Sequence, residues 1–93
     1  MPAKRLEEPR MQATRYTKNQ IKSDYDAKYD ILTLVFGDVK DTYEDCEDPK
    51  FGLIRKMNTD QLVGISCHGY KRFGLRDALL TTLLKNGVSI PAL

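Results

Sequence analysis

The sequence predicts an α+β fold: a four- or five-stranded antiparallel β-meander with one C-terminal α-helix packed on a sheet face. Three observations predict it. Between Ile21 and His68, apolar residues recur at every second position in short segments, the spacing of strands that turn one face to a core. The connections between these segments are short and polar, as in antiparallel neighbours. From Leu75 to Asn86 the period becomes that of a helix, carried by Leu75, Leu79, Leu80, Leu83 and Leu84.

Residues 1–20 form a polar, basic arm. Pro2 and Pro9 interrupt it and no period is sustained, although a short helical turn around Arg10 to Tyr16 is compatible with it. Residues 21–93 form a single α+β domain, with the meander at 21–69, the helix at 75–86 and an apolar tail at 88–93. Ile21 to Asp26 is a first, polar strand, with Ile21, Ser23 and Tyr25 on one face and Lys22, Asp24 and Asp26 on the other. Asp26 to Tyr29 is a tight turn in which Asp26 accepts backbone hydrogen bonds. Asp30 to Phe36 is the strongest strand-like segment. Leu32, Leu34 and Phe36 point one way and Ile31, Thr33 and Val35 the other, so it is a central strand with cover on both sides. Tyr25 is expected to lie over the sheet with its hydroxyl at the rim, and Asp30 to fix the turn.

Gly37-Asp38 is a hairpin signal. Val39 to Cys46 mixes β-formers with acids and is an edge strand, where charge deters unwanted pairing. Pro49 ends it. Phe51 to Met57 and Leu62 to His68 are the last strands, joined by the polar turn Asn58 to Gln61. Gly64, inside the last of them, marks the close approach of a neighbour. Gly69 to Gly74 then leads into the helix. Gly74 suits the N-cap, Asp77 the first turn, Lys85 the last turn and Gly87 the C′ position. The five leucines sweep about 180° of the helix at ~100° per residue, more than the ~100° stripe that one sheet face needs. Arg76 falls inside this arc, where its long stem can reach past the apolar edge.

A chain of 93 residues with ordinary apolar and charged content is one globular domain with a small core. No apolar run approaches the ~18 residues of a membrane span, and Met1 to Gln20 lacks the apolar centre of a signal peptide. A cytoplasmic protein with reduced Cys46 and Cys67 is the expectation. The net charge of +2 conceals segregation: residues 1–20 are net +3, residues 21–50 net −5 and residues 51–93 net +4. Such segregation can steer partners or draw copies of the chain together.

The order of motifs resembles a small bacterial and phage family of β-domains of unknown function. That family starts Y-D-x-x-x-D-x-L, matched here by Tyr25, Asp26, Asp30 and Leu32, and continues with alternating apolar residues, matched by Leu34 and Phe36. A glycine with an apolar pair follows (Gly52-Leu53-Ile54), then a polar turn (Asn58 to Gln61), then an I-V-G-I strand, here Leu62-Val63-Gly64-Ile65. The resemblance covers roughly residues 21–69. The turn lacks the glycine usual in the family, and the arm and leucine helix lie outside the shared part. The resemblance implies a small antiparallel sheet and a regulatory or host-interaction role in phage or mobile-element settings. It implies no activity and no functional residues.

No catalytic set converges. Cys67 and His68 are neighbours on a strand and point to opposite faces, which separates a nucleophile from its base. Cys46, Cys67 and His68 lack a C-x-x-C spacing and a fourth zinc ligand. The acids from Asp38 to Asp48 lack the alternation and central glycine of a calcium loop. No glycine-rich phosphate loop or G-x-S-x-G elbow occurs. No enzyme activity, cofactor, metal or small-molecule substrate is therefore expected. The candidate partner-binding residues are Tyr70, Lys71, Arg72, Phe73 and Arg76, where cations alternate with rings, and Asp41, Glu44 and Asp45 on the acidic edge. Leu80 and Leu84 are candidates for self-association. The expected function is a non-enzymatic interaction or regulatory module that binds a protein partner and forms homo-oligomers. The alternative is a nucleic-acid-binding regulator that uses the 68–76 segment together with Lys4, Arg5, Arg10, Arg15 and Lys18 of the arm.

Overall fold

The computed structural model describes residues 13–91. Its strands are β1 (Thr14–Arg15), β2 (Lys22–Asp26), β3 (Ile31–Val35), β4 (Thr42–Asp48), β5 (Phe51–Lys56), β6 (Leu62–His68) and β7 (Val88–Ser89), and its one α-helix is α1 (Arg76–Lys85). Five of the strands form an antiparallel sheet in the order β2-β3-β6-β5-β4. The α+β class, the five-stranded antiparallel sheet and the single C-terminal helix are those expected from the period-2 and leucine patterns.

The chain meanders through β4, β5 and β6, while β6 inserts between β5 and β3. Gly37-Asp38 is therefore not a hairpin turn. The residues after β3 carry the chain to the far edge, and the inner position beside β3 goes to the more apolar β6. Burying Leu62–Cys67 removes more apolar surface from water than burying the acids of β4 would. The acidic β4 is an edge strand, as its composition predicts, and a register shift between Asp45 and Asp48 interrupts its pairing.

The core lies on one face of the sheet. Leu32, Leu34, Phe36, Phe51, Ile65 and Cys67 meet Leu75, Leu79 and Leu83 of the helix segment and Val88 of the tail. The opposite face of β3 departs from expectation. Ile31, Thr33 and Val35 are half-buried: Ile54 crowds Val35 across Gly64, and among the described residues no second layer covers this face. Gly64 makes that crowding possible. A Cβ there would stand 2.8 Å from the Leu34 carbonyl oxygen and 3.1 Å from Ile54 Cδ1. The carbonyl belongs to a paired strand and cannot swing aside. Gly64→Ala is expected to lower the unfolding free energy by about 1–3 kcal/mol, checked by urea denaturation at neutral pH.

The helix begins one residue later than expected. Leu75 occupies the N-cap position, and Gly74 precedes it with φ 59°. Gly87 takes the left-handed C′ conformation (φ 78°) and its N–H donates to Leu84 O. The arc of leucines is split as its width implies: Leu75, Leu79 and Leu83 are buried, Leu80 is half-buried and Leu84 is exposed. Thr14–Arg15 is extended, and pairs in parallel with Val88–Ser89. A helical turn is thus excluded at those positions, while residues 1–12, 92 and 93 lie outside the described residues. Tyr16 anchors this end by packing on Phe36 with ring centroids 4.8 Å apart.

Candidate interaction surface

Asp30 is the hinge point of the molecule's basic end. It closes the β2–β3 turn in a left-handed conformation (φ 56°), which short polar side chains tolerate better than most. That backbone aims its carbonyl at the residues after β6, where it accepts from the N–H groups of Gly69 and Tyr70. The carboxylate does the same one residue further on. Lys71 N–H donates to Oδ1 and Arg72 N–H to Oδ2, both at 2.9 Å, and the Tyr25 hydroxyl donates to Oδ1 at 2.7 Å. The carboxyl group is held below its ordinary range, first by the two backbone N–H groups and then by the phenol. The Tyr25 phenol is pushed up, chiefly by its bond to the carboxylate. Tyr25 and Asp30 thus have the structural roles predicted for them, with one addition. Asp30 also holds a segment forty residues downstream.

That segment is the cationic one. Gly69 to Gly74 folds as successive turns, with Phe73 N–H donating to Gly69 O and Leu75 N–H to Tyr70 O. The structure brings Tyr70, Lys71, Arg72 and Phe73 together on it, with Arg76 on the first turn of α1. Tyr70 is half-buried and meets Tyr25 edge-on, at 6.4 Å between centroids. The Lys71 ammonium stands 4.7 Å from the centre of the Tyr25 ring, and the Arg72 guanidinium 5.8 Å from that of Phe73. Phe73 is itself 58% exposed, a large apolar ring left at the surface beside cations. Its ring lies over Gly69, where no side chain stands in its way. Tyr29, at the neighbouring β2–β3 turn, is also exposed, with Lys28 over its ring at 5.2 Å.

Beside this turn lies a groove of about 470 Å³, between β2 and the tail. Its floor and walls are Ile21, Ser23, Tyr25, Leu32, Leu34 and Tyr70, with Lys18, Lys71 and Pro91 also lining it. The groove combines apolar lining, two phenols and two ammonium groups, and among the described residues no carboxylate lines it.

The acidic candidates do not form a comparable surface. Asp41 sits in a left-handed turn (φ 52°), where its carbonyl accepts from Met57 N–H. Glu44 and Asp45 are successive residues of β4 and point to opposite faces. Glu44 Oε2 accepts from Ser66 Oγ at 2.8 Å across Gly52, whose missing side chain leaves room for it. Asp45 lies 3.9 Å from Arg55, which also donates to Asn86 Oδ1 at the end of α1. These acids brace the sheet edge. A second tyrosine–aspartate pair, Tyr43 to Asp60 at 2.6 Å, ties β4 to the β5–β6 turn.

The polar chain Glu44–Ser66–His68 has the residue types of a hydrolase but a different order. Ser66 Oγ donates to the acid and lies 3.4 Å from His68 Nε2, so the acid does not orient the histidine. Cys67 lies on the other face, fully buried, and burial pushes its thiol up to about 11. Cys46 is exposed, and its thiol is also raised, first by desolvation and then by Glu44. Neither thiol is activated as a nucleophile. Among the described residues, no group of three or more His, Cys, Asp or Glu side chains is placed to hold a metal. No helix among them is long and apolar enough to cross a membrane.

Asp30 as the anchor of the basic turn was missed in the sequence. Its partners are backbone amides more than forty residues away, and amides carry no sequence signal. The groove was missed for a related reason: Ile21, Ser23 and Tyr25 share a face by alternation, but which part of that face the helix leaves open depends on where the helix docks. Comparison with protein-family models, curated proteins and solved structures finds no match for this chain.

Proposed function

We propose that this protein is a non-enzymatic interaction module that binds a protein partner through the Tyr70–Arg76 turn and the groove beside it, and that it self-associates. The observation that carries this reading is the anchoring of the turn by Asp30. Four hydrogen bonds to Asp30, from the N–H groups of Gly69, Tyr70, Lys71 and Arg72, hold the backbone of a segment whose side chains Lys71, Arg72 and Phe73 are exposed. Such a segment loses little conformational freedom when it binds. Exposed aromatic rings beside arginine are the composition of binding hot spots. Partner residues that suit it are acidic side chains flanking an apolar one, which meet the ammonium groups and the groove together.

The test is cross-linking of the full chain in its host, with and without nuclease, compared with a Lys71→Glu/Arg72→Glu variant. The reading requires a discrete protein that is captured by the wild type, resists nuclease and is lost from the variant. Equal capture by both would overturn it. Capture abolished by nuclease would transfer these side chains to the nucleic-acid reading, which the exposed Tyr29 and Phe73 rings next to Lys28 and Arg72 favour as base-stacking positions. Electrophoretic retardation of short DNA and RNA at low salt measures that alternative directly.

A further inference from the structure

We infer that strand β2 is the self-association edge, and that its occupant is β2 of a second copy, paired antiparallel with Ser23 opposite Ser23. The inference rests on the self-association part of the proposed function and names its surface. Phe36 N–H donates to Val63 O, and Gly69 N–H to Asp30 O, so the even-numbered residues of β3 turn their backbone groups toward β6. The odd-numbered Ile31, Thr33 and Val35 turn theirs toward β2, where they face Asp26, Asp24 and Lys22. Alternation then directs the amide and carbonyl groups of Ser23 and Tyr25 away from the sheet. Among the described residues no strand lies beyond β2.

The two edges of this sheet differ. The β4 edge carries Glu44, Asp45 and Asp48, all of one sign, and its register shifts between Asp45 and Asp48. A second β4 would meet repulsion and a bent strand. The β2 edge pairs with β3 without a register shift, contains no proline and carries both signs, Lys22 against Asp24 and Asp26. With Ser23 facing Ser23, Lys22 of each copy stands opposite Asp24 of the other, on the face away from the helix. On the helix side, Ile21 of each copy stands opposite Tyr25 of the other. The two Ser23 residues exchange a pair of main-chain hydrogen bonds, and each Tyr25 N–H reaches the Ile21 carbonyl across the axis. Moving the centre by one residue would set Asp24 against Asp24, so the charges select this register. The arrangement is two-fold symmetric and closed. It also brings the two grooves side by side on the helix face, because Ile21, Ser23 and Tyr25 line both the edge and the groove.

The experiment is sedimentation equilibrium and light scattering on the full chain. The wild type is expected at twice the 10.6 kDa chain mass. Lys22→Asp and Asp24→Lys each place like charges opposite one another twice per dimer, and each is expected to raise the dissociation constant about tenfold or more. An equal mixture of these two variants restores the attraction at both positions and is expected to recover the dimer. Ser23→Pro removes an outward-facing N–H, a change that an edge strand tolerates, and is expected to abolish the dimer while thermal unfolding stays cooperative. A dimer unmoved by all three variants but dissociated by Leu80→Lys or Leu84→Lys would overturn the β2 edge and leave self-association standing. A wild-type monomer at every concentration would overturn both. So would a monomer in which Ser23→Pro exposes residues 1–12 to protease, since the arm would then be the strand beside β2.

Discussion

Leu79→Ala is expected to lower the unfolding free energy by about 3 kcal/mol, measured by urea denaturation followed by circular dichroism. Leu79 is fully buried on the helix face that meets the sheet. Its truncation removes apolar contact and leaves a cavity that β3 and β6 cannot collapse into, because their main chains are paired on both sides. Domains of this size have about 5–15 kcal/mol in total, so the loss is a large share of what holds the fold. Leu84→Ala, five residues along the same helix and on its exposed side, supplies the control. Its side chain is 53% exposed, and the change is expected to stay within about 0.5 kcal/mol. The contrast separates helix propensity, which is the same for both changes, from burial, which is not. If Leu79 and Leu84 cost the same, the orientation of α1 described above is wrong.

Asp30→Ala is expected to release the basic turn. The change deletes the acceptor for Lys71 N–H, Arg72 N–H and the Tyr25 hydroxyl, and places a residue without a polar side chain at φ 56°. Amide hydrogen exchange at Lys71 and Arg72 should rise steeply, while exchange in β5 and β6 changes little. Asp30→Asn should fall between, because asparagine accepts the left-handed conformation and keeps one acceptor oxygen but loses the charge. The same site gives a pH dependence with a definite sign. In the folded chain the Asp30 carboxyl titrates below its ordinary value near 3.8, so the unfolded chain binds its proton first as acid is added. Its contribution to stability is complete above that ordinary value and is lost as pH falls through it toward the folded value. The Tyr25 phenol titrates above its ordinary value of 10.0 in the folded chain, so its contribution is complete below 10.0 and is lost as pH rises through the folded value. Plotted against pH, the wild-type melting temperature minus that of Asp30→Asn should therefore form a plateau between these limits and fall on both sides. A difference that stays flat through the acid limb would exclude Asp30 as the anchor.

The strands and the helix were legible because each rests on local periodicity. Leu32, Leu34 and Phe36 alternate whatever they pair with, and Leu75, Leu79 and Leu83 return to one face of any helix. Gly64 was legible too, since a glycine within an apolar strand leaves few explanations besides a close neighbour. What local pattern cannot state is which strand stands beside which. Gly37-Asp38 has the chemistry of a hairpin, yet β6 outcompetes β4 for the place next to β3 through total buried surface, a property of the whole sheet. The candidate site divides in the same way. Tyr70, Lys71, Arg72, Phe73 and Arg76 are neighbours in sequence and remain neighbours in space. Glu44 and Asp45 look like one acidic patch and are separated by the strand between them, each given to a partner, Ser66 or Arg55, that only the sheet brings near.

The insertion of β6 between β3 and β5 also sets a timetable. When β3 leaves the ribosome its outer neighbour β2 already exists, but its inner neighbour lies about thirty residues ahead, a delay of a few seconds at ~5–20 residues per second. Until then Leu32, Leu34 and Phe36 have no sheet to complete and no helix above them. β1 waits longer still, because its partner β7 is made after α1. A chain synthesised only as far as β5 therefore lacks the strand that β3 and β5 share, and the β2–β3 ribbon alone is marginal in water. The two halves of the sheet gain their common neighbour only once β6 is made, and the core face gains its cover only once α1 follows.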